Sequence, residues 1–305
     1  MNRRRGLSIV AIAILLGVLA PVLRGEDAEA VPRPLDRIAV IGASATAGFG
    51  VVLRYKGEEF DRMIPVGAPE VLAAVITEPE VTMTGEGSGL FFMSPSRRGH
   101  HQATTAAATD PTLVMGLDFL FWYGYGNRDE KGQAIPPGPL GHDTRLALLE
   151  KGLQELDRFN CPVVVGDYPD VSNAVGYMLS SDQVPAPATL AALNTRLKEW
   201  AASRPNVILV PMSRLIASMR SDEAFTAGRQ QWPQGVKAQF MQMDNLHPTL
   251  DGLIILIQEA ADHVARHASE VNDTSFDFSL ESVRKRLYET HRPAGTTARP
   301  HVEQP

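Results

Sequence analysis

Arg37-Ile38-Ala39-Val40-Ile41-Gly42-Ala43-Ser44 is a short run, apolar from Ile38 to Ile41, that passes a glycine and arrives at a serine. Its length and near-continuous apolarity predict a buried strand over 37–42. Similar runs recur downstream. Glu80 to Met83, Leu113 to Leu117 (with an extension towards Trp122), Val163 to Val165 and Val207 to Val210 read as four further strands. Helical spacing separates them. Val71 to Ile76 reads as a short helix; Leu146, Leu149, Leu153 and Leu156 form one stripe, and Leu190, Leu193, Leu197 and Trp200 another. Leu250, Ile254, Ile257, Ala261 and Val264 form a long stripe, with Pro248 marking its first turn.

Apolar strands alternating with amphipathic helices make βαβ units. Right-handed crossovers then give an α/β fold, a three-layer α/β/α sandwich on a five-stranded parallel sheet. In such sheets, sites form beyond the carboxyl ends of the strands. Ser44, a glycine-rich turn at Gly85, Gly87 and Gly89, the segment after Leu117 and Asp167 should therefore gather on one rim.

The chain has 305 residues, 44% of them hydrophobic, and a formal charge of −6. That composition supports a large core and lacks the basic surplus that a nucleic-acid face needs. No zinc-type Cys/His spacing and no phosphate-cradling G-x-x-x-x-G-K-[ST] run occurs, so neither metal nor cofactor is expected. The single cysteine, Cys161, opens an apolar run and reads as a buried, inert thiol. A nicotinamide-dependent oxidoreductase is disfavoured, because G-x-G-x-x-G is absent after the first strand.

Arg3, Arg4 and Arg5 precede an apolar stretch from Leu7 to Ala20, and Ala28-Glu29-Ala30 offers a small-x-small cleavage site. Residues 1–30 therefore read as a signal peptide, and the protein as exported to the periplasm or beyond. The alternative is an uncleaved N-terminal anchor, the one route by which a membrane would be a partner. A domain over 31–268 follows. Residues 269–305 read as a helix at Ser279 to Tyr288 and a disordered tail rich in Pro, Thr, His and Arg.

Serine is a weak nucleophile until a base takes its proton, and the base must be oriented by a third group. Near its other end the chain supplies Asp244-Asn245-Leu246-His247-Pro248, just before the last long helical stripe. Ser44 with its flanks resembles the first block of the SGNH/GDSL hydrolases, Gly-Asp-Ser-x-Ser/Thr-x-Gly. Asp244-x-x-His247-Pro248, followed by Gly252, resembles their last block. The resemblance spans roughly residues 36–267, and its end blocks are the sharp ones.

The resemblance implies a flavodoxin-like serine esterase with Ser44 as nucleophile and Asp244 and His247 as partners. Its substrate would be a small-molecule or glycan ester. The oxyanion would be met by the Ser44 N–H, by a second-block glycine, here Gly87, and by a third-block asparagine. The third block departs from the pattern. Gly116-Leu117-Asp118-Phe119-Leu120-Phe121-Trp122 holds no asparagine; Asn127 lies late, and Tyr123 and Tyr125 are the other candidate donors. An ionised Asp118 only accepts. That departure keeps open a non-catalytic binding module or a polysaccharide O-acyltransferase on the same fold.

Overall fold

The computed structural model describes residues 32–57, 60–221, 223–268 and 270–298. The segment read as a signal peptide lies outside them. The strand expected at 37–42 is β1 (Arg37–Gly42), followed by β2 (Val52–Lys56), β3 (Arg62–Pro65), α1 (Ala68–Val75) and β4 (Thr82–Gly87). Next come α2 (Pro95–Ala107), β5 (Leu113–Gly116), the short α3 (Phe121–Tyr125), α4 (His142–Leu156), β6 (Val163–Gly166), α5 (Pro187–Ala202) and β7 (Val207–Val210). Beyond β7 lie α6 (Met212–Arg220), β8 (Phe225–Ala227), β9 (Gln230–Trp232), α7 (Lys237–Phe240), α8 (Leu250–His267), α9 (Leu280–Thr290) and β10 (Thr297–Ala298).

The main sheet has five strands in the order β4-β1-β5-β6-β7, and every pairing is parallel. Successive side chains on a strand point to opposite faces, and both faces are filled. Ile38, Val40, Leu113, Met115 and Val164 enter one core with α1, α6 and α8; Ala39, Ile41, Val114, Val163 and Val165 enter another with α4 and α5. Each buried Val, Leu or Ile contributes about 1.5–3 kcal/mol, so the unbroken apolarity of β1 is what a sheet covered on both sides requires. The strand order reverses between β1 and β5. Such a switch point opens a crevice at the carboxyl ends, and Ser44 is two residues past the end of β1.

The structure shifts several boundaries. The second strand runs over Thr82–Gly87 instead of 80–83, so Gly85 and Gly87 belong to a strand and not to a turn. A Cβ on Gly87 would sit 2.3 Å from the Ala47 nitrogen, so close approach of the turn after β1 demands glycine there. The third strand ends at Gly116, and the aromatics of 119–125 fold back into the core as a turn and α3. Pro248 precedes the helix: Thr249 is the N-cap of α8, its hydroxyl accepting from the Gly252 N–H.

The loop-rich segment after Ser44 contains the β2–β3 hairpin, in which Leu53 and Tyr55 are buried while Arg54 and Lys56 are exposed. The folded unit does not stop at residue 268. Val283, Leu287 and Tyr288 of α9 pack into the α1/α8 core, and β10 pairs with β2. Among the described residues no helix is long and apolar enough to cross a membrane.

Candidate active site

Ser44 and His247, separated by 203 positions in the chain, meet with Oγ 2.9 Å from Nε2. The Asp244 Oδ2 lies 2.7 Å from the His247 Nδ1. A carboxylate only accepts, so the proton sits on Nδ1 and the lone pair of Nε2 faces the serine hydroxyl. Burial works against ionisation of Asp244. The His247 N–H, the His247 ring and the Leu246 N–H outweigh it and hold the carboxyl below its usual range. His247 is only 3% exposed.

Local structure explains why the three groups converge. The Asp244–His247 segment is the tip of a tight return between α7 and α8. Gln242 N–H donates to the His247 carbonyl at 2.9 Å, and Thr249 N–H to the Phe240 carbonyl at 3.0 Å. Asn245 takes the left-handed conformation, φ +57°, which asparagine tolerates better than most residues. Asp244 Oδ1 accepts the Leu246 and His247 N–H groups at 2.9 and 3.0 Å, so the residue that orients the imidazole also shapes its own turn.

Two outlying side chains fix this return to the rest of the rim. The Arg220 guanidinium donates to the Asn245 carbonyl at 2.6 Å and also to the Asp170 carbonyl. The Gln242 amide donates to the Phe49 and Pro248 carbonyls, both at 2.7 Å, and so joins the serine turn to the histidine turn. The Phe49 ring then covers the imidazole, with centroids 4.4 Å apart. Sequence reading missed Arg220, Gln242 and Phe49, because nothing in their local pattern marks them as partners of a distant turn.

The turn at 43–47 is held from the segment just past β5. Asp118 Oδ1 accepts the Ala43 N–H at 2.9 Å and the Thr46 hydroxyl at 2.6 Å; Oδ2 accepts the Ala45 and Thr46 N–H groups at 2.8 and 3.2 Å. Ala47 N–H donates to the Ala43 carbonyl at 3.0 Å. The Ser44 N–H alone in this turn finds no acceptor among the described residues. Gly87 is paired with Gly42. Thr82 and Ser88 give their N–H groups to the carbonyls of Asp36 and Gly42, and ladder parity therefore turns the Gly87 N–H away from β1.

Two of the three side chains considered as substitute oxyanion donors are committed elsewhere. The Asn127 amide donates to Asp182 at 3.0 Å. The Tyr125 hydroxyl donates to the Pro169 carbonyl at 2.6 Å. Tyr123 is buried against Gly99 of α2 and does not line the space beside Ser44, and its hydroxyl has no partner among the described residues. Asn127 is thus a loop anchor, not a donor facing Ser44.

Beside Ser44 and His247 opens a small pocket of about 70 Å³. Leu117, Phe121, Met212, Ile216, Leu246 and Leu256 supply apolar walls, and Asp118 and Asp167 also line it. Asp167 is occupied structurally, accepting the Ser213 N–H at 2.5 Å and its hydroxyl at 2.7 Å at the start of α6. Ser44, the segment after Leu117 and Asp167 thus share one rim, with Gly87 packed against the turn that follows Ser44. Cys161 is remote from this lining, and burial pushes its thiol up to about 11.

No protein-family model and no curated protein sequence matches the chain. Solved structures to which it is similar include a psychrotrophic esterase from Pseudoalteromonas sp., 12% identical with a TM-score of 0.44, the match covering 76% of this chain and 97% of that one. They also include an acetylxylan esterase from Geobacillus stearothermophilus, 16% identical with a TM-score of 0.43, covering 78% of this chain and 97% of that one.

Proposed function

We propose that this protein is an exported serine esterase that cleaves a carboxylic ester through Ser44, His247 and Asp244. The observation that carries the reading is the continuous chain from Ser44 Oγ through the imidazole to the Asp244 carboxylate, at 2.9 and 2.7 Å, beside an apolar pocket. Ser44 Oγ attacks the ester carbonyl while its proton passes to His247 Nε2. The new C–O bond leaves a tetrahedral oxyanion, which the free N–H of Ser44 receives. Collapse breaks the bond to the alcohol, which departs with the proton from His247. Water, deprotonated by the same imidazole, then releases the acid and restores Ser44. Asp244 orients the ring throughout and stabilises its charged form.

The pocket beside the serine suits the acyl part of the ester. Export rests on Arg3 to Arg5, the apolar stretch from Leu7 to Ala20 and the Ala28-x-Ala30 site. The decisive experiment is labelling with a fluorophosphonate. The wild-type protein should label at one site, and Ser44→Ala and His247→Ala should not. Undiminished labelling of Ser44→Ala would remove the assignment. N-terminal sequencing of the secreted form should begin at Val31; a cytoplasmic product beginning at Met1 would remove the export reading.

A further inference from the structure

Asp118 stands where the family resemblance leads one to expect an asparagine donor, yet its carboxylate is turned away from that task. A carboxylate has about four acceptor sites, and here they meet Ala43 N–H, Thr46 Oγ1–H, Ala45 N–H and Thr46 N–H, at 2.9, 2.6, 2.8 and 3.2 Å. These donors flank Ser44 on both sides and come from a turn 72 to 75 positions away in the chain. The contact is built in from both strands. A Cβ on Gly42 would lie 2.1 Å from Asp118 Oδ1 and 2.2 Å from Thr46 Oγ1, so the clamp exists because residue 42 has no side chain.

We propose that Asp118 is a positioning residue for the acylation of Ser44: it gathers the amides on either side of the serine and leaves the Ser44 N–H as the one donor of the turn open to the ester. The proposal rests on the ester-cleavage reading above. Without the clamp, several neighbouring amides would compete for the same oxygen and the turn would have no single shape. The four donors also disperse the charge of Asp118, which lessens its repulsion of a nearby oxyanion. Asparagine cannot substitute. Its oxygen has two acceptor sites, and its NH₂ would face donors that it cannot satisfy.

The test compares wild type, Asp118→Asn and the milder Thr46→Val in acylation by a fluorophosphonate, in kcat and KM on a small activated ester, and in thermal unfolding. Asp118→Asn should lower kcat and the acylation rate by about 10²-fold, as an ångström-scale misplacement does, with KM changed by less than about threefold. Thr46→Val, which removes one of the four donors, should show a smaller loss in the same direction. A folded Asp118→Asn that acylates at the wild-type rate, or faster because its amide reaches the oxyanion, overturns the proposal. If Asp118→Asn does not fold, Thr46→Val decides, and a wild-type acylation rate there overturns it. Ser44→Ala is the control that keeps the two readings apart. If Ser44→Ala labels, the esterase assignment falls. If it is silent while Asp118→Asn stays fast, only the role of Asp118 falls.

Discussion

The rings of Phe49 and His247 lie with centroids 4.4 Å apart and planes inclined by 31°. Phe49 is itself 44% exposed, so one half-exposed ring screens a histidine that is almost fully enclosed. A ring contact of this kind is worth about 0.5–1.5 kcal/mol. Phe49→Ala should therefore lower kcat/KM on a small activated ester by roughly 2–12-fold, from the same energy at 1.36 kcal/mol per decade. Phe49→Leu should keep most of the activity. An unchanged rate in a folded Phe49→Ala protein would show that the ring does not hold the imidazole.

Arg220 carries the second prediction. Its guanidinium bridges the Asn245 and Asp170 carbonyls, tying the histidine turn to the loop after β6. Arg220→Met keeps the apolar stem and removes both bonds. It should lower kcat by roughly 10–100-fold, since misplacement of the base is the cost, while circular dichroism stays native. Wild-type kcat would mean that Asp244 and Gln242 hold the turn without Arg220.

The acid limb of stability should carry the signature of Asp244. Its folded pKa is depressed, with burial opposed and outweighed by hydrogen bonds from His247 and Leu246. A depressed carboxylate stabilises the fold above its unfolded pKa, about 3.9, and that contribution is lost as pH falls through the lower folded value. Urea midpoints followed from pH 6 downwards should fall more steeply for wild type than for Asp244→Asn in the region of pH 4 and below. Parallel curves would show that the carboxylate is not preferentially stabilised in the folded state.

Pocket size sets the fourth expectation. About 70 Å³ is open beside Ser44, whereas a cavity of about 150 Å³ holds a six-carbon ring. Acyl groups of about two to four carbons should fit by that proportion. Nitrophenyl acetate and butyrate should be turned over, and the octanoate should fall by at least about tenfold in kcat/KM, because an acyl chain that overfills the pocket displaces the carbonyl from Ser44 Oγ. Ile216→Ala should recover part of the octanoate rate. Equal rates across the series would exclude this pocket as the acyl site.

Much of the architecture was legible from local pattern. An apolar run such as 38–41 can be stable only when both of its faces are covered, so β1, β5, β6 and β7 announce a parallel sheet, and the 3.6-residue stripes of α4, α5 and α8 announce its covering layers. The elements that were misread have patterns that compete. Gly85 and Gly87 look like a turn because glycine is the common turn residue, and only their packing against Pro69 and the Ala47 backbone shows why a strand needs them. The hairpin at 52–65 and the polar helix α2 lack a long apolar period and went unseen.

The sequence by itself determined which chemistry the chain can hold: Ser44 after a strand, and Asp244 and His247 three residues apart, close enough for a carboxylate to orient a ring without help from the rest of the fold. What it could not determine was everything that depends on two distant turns meeting. The 2.9 Å approach of His247 to Ser44, the Gln242 and Arg220 tethers, the cover of Phe49, and the commitment of Asn127 to Asp182 are all long-range contacts. Asp118 shows the difference most clearly. In sequence it is a missing asparagine. In the fold, the pairing of β1 with β5 sets its carboxylate among the amides of the serine turn, because strand order and register, not local composition, decide which loops share a rim.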